Sequence, residues 1–194
     1  KKFNCGVFIV KSELHISLTG HRPDKLGGYP GNRNYNEKGY LDLQTDLESF
    51  ILRALDQYDR VICHSGLALG ADTVWSKAIL SVRERYPDRV EFHAEVPNRL
   101  QPNRWISQED KDFWNYQLEV ADNVTFYNDV DANATLTTGE MARDMELRNR
   151  GMLDKADVLL ALYDGTSGGT DNAVQYANQT NLHTITVHPS VYFG

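Results

Sequence analysis

Two spacings of apolar residues alternate along the chain. Short runs recur at Leu14–Thr19, Arg60–His64, Val90–Val96, Val124–Tyr127, Val158–Tyr163 and Thr184–Val187. Val158–Tyr163 is wholly apolar, the pattern of a strand buried on both faces of a parallel sheet. Between the runs the spacing turns helical. Leu43, Leu47, Phe50, Ile51, Ala54, Leu55 and Tyr58 mark one amphipathic helix, and a second runs from about Asp72 to Arg85. Ser107 and Asp110 have capping-box spacing ahead of Phe113, Trp114, Leu118 and Ala121. Glu140–Lys155 reads as a fourth helix with Met141, Met145 and Met152 as core packing, and Thr170–Ala177 as a fifth. Strand and helix alternate without repeat or low-complexity linker. The pattern predicts one α/β domain over residues 14–194, a parallel sheet with helices on both faces. Residues 1–13 are read as an N-terminal extension or edge strand, with Val7–Val10 as its apolar part.

Three strand ends run into turn residues. The first is Gly20-His21-Arg22-Pro23. The second spans Ser65, Gly66, Gly70 and Asp72, and the third Asp164, Gly165, Gly168, Gly169, Thr170 and Asn172. Glycines allow close backbone approach, and a helix start offers free N–H groups and a positive dipole end to an anion. Open parallel sheets bind ligands at the carboxyl ends of their strands, where all three junctions fall. Arg22 suits a bidentate phosphate clamp, and His21 an acid–base role whose orienting partner the sequence does not identify. Asp72 fits either a ribose hydroxyl or a helix cap; Thr170 and Asn172 supply further hydrogen-bonding groups. Residues 23–40 hold Gly, Pro and three tyrosines, and are read as a lid. Trp105 is read as a buried aromatic, with base stacking as the other role.

Composition narrows the partners. Twenty Lys and Arg against twenty-seven Asp and Glu give a net charge of −7, which speaks against a general nucleic-acid surface. No apolar run is long enough to span a membrane, and no cleavable signal is visible, so a cytoplasmic protein is expected. Cys5 and Cys63 form no C-x-x-C pattern, in keeping with a reducing compartment. The six histidines show no metal-ligand spacing, so neither a metal nor a cofactor is expected.

Four segments occur in order: Thr19-Gly-His-Arg-Pro-Asp-Lys-Leu26, Ser65-Gly-Leu-Ala-Leu-Gly-Ala-Asp72, Arg148-Asn-Arg-Gly-Met-Leu-Asp154 and Tyr163-Asp-Gly-x-x-Gly-Gly-Thr170. Together they resemble the YpsA-like branch of the SLOG superfamily, which joins DNA-processing protein A with the LOG "lysine decarboxylase-like" proteins. The resemblance implies a Rossmann-like fold, commonly in homo-oligomers, with a nucleotide-derived ligand at the glycine edge. It adds Arg148 and Asn149 to the candidate ligand-binding residues. The LOG enzymes are phosphoribohydrolases, and Arg148 aligns with their helix arginine. At the position of their catalytic glutamate this chain has Ala173, and the loop proline is missing. Glycosyl cleavage needs a carboxylate near the oxocarbenium ion. Asp164 and Asp171 are the nearby substitutes, and with Arg148 they are the candidate catalytic residues. The resemblance thus favours a binder of a nucleotide or ADP-ribose-like derivative, a sensor or sequestering protein. An N-glycosidase is the second reading, and single-stranded DNA binding the third.

Overall fold

A computed structural model describes residues 12–194. Six parallel strands form one sheet: β1 (Glu13–Gly20), β2 (Arg60–Ser65), β3 (Val90–Val96), β4 (Asn123–Phe126), β5 (Val158–Leu162) and β6 (His183–Val187). Their order is β4-β3-β2-β1-β5-β6. Six helices accompany them: α1 (Glu37–Leu55), α2 (Ala71–Arg85), α3 (Gln108–Val120), α4 (Thr138–Leu153), α5 (Gly169–Gln179) and α6 (Ser190–Phe193). This is the expected Rossmann-like α/β architecture. The edge strand read at Val7–Val10, and Cys5, lie outside the described residues.

Alternation along the strands decides which face each helix covers. Ile16, Leu18, Val61, Cys63, Val90, Phe92, Ala94 and Leu160 share one face, where they pack with Leu43, Leu47 and Ile51 of α1, Trp75 and Ile79 of α2, and Trp114 of α3. The opposite face is unevenly covered. Over β5 a small cluster forms from Leu159, Leu153, Ala173 and Ala177. Over β2 and β3 the same face carries His64, His93 and Glu95.

Capping sets the helix starts. Asn36 accepts the Gly39 N–H at 2.9 Å, so α1 begins at Glu37, well before its first apolar residue. That shortens the loop read over residues 23–40. Its middle is folded back, with Asn36 N–H on the Gly27 carbonyl at 2.7 Å and the Tyr40 hydroxyl on the Gly28 carbonyl at 2.8 Å. Tyr29 and Tyr35 line a separate hollow with Thr73, Lys77 and Asp110, away from the junction of β1 and β5. Of residues 23–40 only Asp24 and Lys25 reach that junction, so the stretch does not lie over it as a lid. Ser107 caps α3 through the Asp110 N–H at 3.2 Å, without the reciprocal half of a capping box. The complete box belongs to α4, between Thr137 and Glu140, and it starts that helix two residues early. Trp105 packs partly buried against the main core.

Candidate functional site

The sheet order makes β1 the turning point of the chain. From β1 the chain winds outward through β2, β3 and β4, then returns to lay β5 along the other side of β1. The connections leaving β1 and β5 diverge, opening a crevice at the carboxyl ends of these strands. Its volume is about 470 Å³, within the range of small-molecule sites. Gly20, His21 and Arg22 line it after β1, Gly168, Gly169, Thr170 and Asn172 after β5, Arg148 and Asn149 from α4, and Asp72 from α2.

The glycines of this edge do two different jobs. At Gly168 (φ +146°) and at Gly169 a Cβ would meet no atom within 4 Å, so the start of α5 faces open space. Gly165 (φ +84°) is likewise open but lies outside the crevice wall. Gly20 is needed for packing, because a Cβ there would collide with the Ala71 side chain. A Cβ at Gly66 would overlap the Arg148 guanidinium, and one at Gly70 (φ +98°) would lie 2.5 Å from the His21 carbonyl oxygen. Ser65 is fully buried, 2.9 Å from the Ser76 hydroxyl. Ser65, Gly66 and Gly70 therefore stand behind the crevice wall and do not line it, contrary to the sequence expectation. The second junction shapes the site by making room for Arg148.

Arg148 is the most constrained charge of the site. It is 4% exposed. Nη1 lies 3.3 Å from Asp72 Oδ2, Nη2 reaches only Met145 Sδ at 3.8 Å, and buried Nε has no partner among the described residues. Burial pulls the guanidinium below its ordinary pKa, and Asp72 opposes that pull. Asp72 also accepts the Ala68 N–H at 3.2 Å. A buried guanidinium with an orphaned N–H has spare capacity for an acceptor.

His21 gains the partner that its sequence neighbourhood did not reveal. Nε2 lies 2.7 Å from Asp164 Oδ1, across 143 positions of sequence. Asp164 also accepts the Thr166 N–H at 2.9 Å and the Thr166 hydroxyl at 2.6 Å. Those bonds, followed by His21, hold its carboxyl well below the usual range. Lys25 Nζ donates to Thr166 Oγ1 at 2.8 Å and so ties the first junction to the third. Asp171 turns elsewhere. Its carboxylate takes the Tyr163 hydroxyl and, at 2.9 Å, the Gln175 amide, and it does not line the crevice.

Crevice residues absent from the candidate site read in the sequence include Asp24, Lys25, Met145, Glu146 and Ser167. Met145 and Glu146 were legible, since they lie one turn before Arg148 and Asn149 on the same helix. Met145 is a half-buried wall residue and not core packing; Met152 is buried as expected and also borders the crevice.

No family model matches the chain. It is 27% identical over 160 residues to the uncharacterized SPbeta prophage-derived protein YoqJ of Bacillus subtilis, covering 79% of this chain and 91% of that protein. It is 24% identical over 155 residues to a UPF0398 protein of Bacillus cereus, covering 80% and 77%. Among solved structures it is similar to DNA processing protein A from Helicobacter pylori, described for its single-stranded DNA binding mode. That likeness has a TM-score of 0.56 at 14% identity, and spans 89% of this chain but only 64% of the other. No helix among the described residues is long and apolar enough to cross a membrane. By its motifs, its relatives and its fold, the chain resembles the YpsA-like branch of the SLOG superfamily.

Proposed function

We propose that the crevice between β1 and β5 binds a nucleotide or an ADP-ribose-like derivative, and that the protein acts as its sensor or sequestering partner. The observation that carries this reading is the orphaned Nε of buried Arg148, in the wall facing the open start of α5. The N–H groups of Gly169 and Thr170 suit phosphate oxygens, and the helix dipole favours them. Arg22 and Lys25 add positive charge at the rim, while Asn149 and Asn172 offer donors and acceptors to a sugar or base.

Glycosyl cleavage finds less support. Asp171 is tied to Tyr163 and Gln175, and Ala173 is 1% exposed in the small core beneath α5. A carboxylate at position 173 would enter that core and not the crevice. A strand of DNA at the same edge is the second reading. The fold shared with DNA processing protein A favours it, and the −7 net charge weighs against it.

Thermal denaturation with a panel of mono-, di- and cyclic nucleotides and ADP-ribose tests the first reading. At a hundredfold excess over Kd the stabilisation is about 2.7 kcal/mol. No shift across the panel at millimolar ligand, with salt-sensitive retention on single-stranded DNA, transfers the site to the second reading.

A further inference from the structure

On the sheet face opposite the main core, three ligand-type side chains meet away from the crevice. The register sets His64 of β2 beside His93 of β3, and Glu95 follows two residues later, so all three project from one face. Their ligand atoms lie within 4.8 Å of one another. His64 and Glu95 are buried, at 1% and 0% side-chain exposure, while His93 is 18% exposed.

The ring orientations separate ligand atoms from supporting ones. His64 Nδ1 lies 2.8 Å from Glu95 Oε1, and its Nε2 lies 3.0 Å from His15 Nδ1. His93 directs Nε2 to Glu91 Oε2 at 2.9 Å, which leaves Nδ1. The Tyr127 hydroxyl donates to Glu95 Oε2 at 2.8 Å, so Oε1, the oxygen bonded to His64 Nδ1, is the carboxylate corner turned to the histidines. His93 thus has Nε2 held by Glu91, and His64 has Nε2 held by His15 while its Nδ1 faces Glu95; a ring held through its second nitrogen is how metal-ligating imidazoles are oriented. Two imidazoles and one carboxylate suit zinc-type ions, with a fourth position open to water.

Burial lowers the pKa of both His64 and His93. Burial alone would raise Glu95, but hydrogen bonds from His64 and Lys155 outweigh it and hold the carboxyl at about 2. Lys155 supplies the balancing charge, with Nζ 3.0 and 2.9 Å from the two carboxylate oxygens, and it is 37% exposed on the solvent side.

We propose that His64, His93 and Glu95 form a site for a divalent transition-metal ion of the zinc class, with Glu91 and His15 orienting the rings. The ion enters where Lys155 now sits, and the ammonium moves out to solvent still protonated. His64 binds through Nδ1, so its proton there passes to water. His64 takes a proton at Nε2 from His15 Nδ1, and His15 takes one from water at its own Nε2, which lies 3.9 Å from Glu13. Both rings stay neutral, and the His15–His64 pair releases no net proton.

The test uses the full chain, stripped with chelator, then titrated with Zn²⁺ by calorimetry and with Co²⁺ by visible absorption. The expected result is one ion per chain and the ligand-field band of four-coordinate Co²⁺. His93→Ala abolishes the band. Glu91→Gln, at a half-exposed position that threatens the fold less, weakens binding about 10–100-fold. Lys155→Met, which removes the competing ammonium, tightens it. Absence of binding in both the wild type and Lys155→Met overturns the proposal. So does unchanged affinity in folded His93→Ala and Glu91→Gln, which would put the ion elsewhere.

Discussion

Arg148→Met is the most demanding perturbation of the site, because stability and binding respond to it separately. The guanidinium and its partner Asp72 are 5% and 8% exposed in their side chains, so solvent screens the pair little. Removing the cation leaves the Asp72 carboxylate with one remaining hydrogen bond, from the Ala68 N–H. Breaking a buried pair from one side costs about 3–5 kcal/mol. Asp72→Asn in the same chain removes the stranded charge, so Arg148→Met/Asp72→Asn should recover most of that loss; the cycle isolates the coupling. Urea denaturation of the four proteins measures it. Ligand binding follows the other rule. Both chains lacking Arg148 should lose the thermal stabilisation by ADP-ribose, whether or not folding stability is restored. A loss below about 1 kcal/mol in Arg148→Met, of the size of an exposed pair, would refute the burial argument. Full ligand stabilisation in the double variant would remove Arg148 from the binding site.

Three further outcomes are expected. Gly169→Val should abolish nucleotide stabilisation while leaving urea stability within about 1 kcal/mol, since a Cβ at Gly169 meets no protein atom within 4 Å; an unfolded variant would make the glycine structural. Ala173→Glu should sharply destabilise the chain and yield no free base from nucleoside monophosphates, because it drives a carboxylate into the core under α5; a stable variant that releases base would restore the glycosidase reading. In metal-free protein the lowered pKa values of His64 and His93 make the unfolded chain the stronger proton binder as pH falls below about 6.5. Stability should therefore be full above that pH and decline beneath it, and the Glu95 contribution should be lost in turn as pH falls from about 4.5 to about 2. Urea midpoints at about pH 7.5 and about pH 5.5 check this, and His93→Gln should flatten the difference.

What the sequence reveals depends on the range of the interaction. β3 was legible to the residue, because Val90, Phe92, Ala94 and Val96 alternate along it and Pro97 ends it. The start of α1 was not, because its first turn is set by the Asn36 cap and carries no apolar stripe. The glycine motifs marked the edge of the sheet at which the crevice opens. They could not separate Gly168 and Gly169, which face open space, from Gly66 and Gly70, which make room for Arg148 and the chain at His21. That distinction depends on side chains far away in sequence. The same holds for His21 with Asp164, and for His64, His93 and Glu95, which no local ligand spacing betrays because strand register brings them together.

The central claim is that phosphate groups of a nucleotide derivative sit on the first turn of α5, inside the crevice. Backbone amide shifts, followed by nuclear magnetic resonance during titration with ADP-ribose, test it most directly. Saturable shifts are expected at Gly168, Gly169, Thr170 and the Gly20–Arg22 segment, with the Arg148 Nε–H moving in step and the β2–β3 histidines unmoved. Saturable shifts confined to another surface, or none at millimolar ligand, would contradict the account.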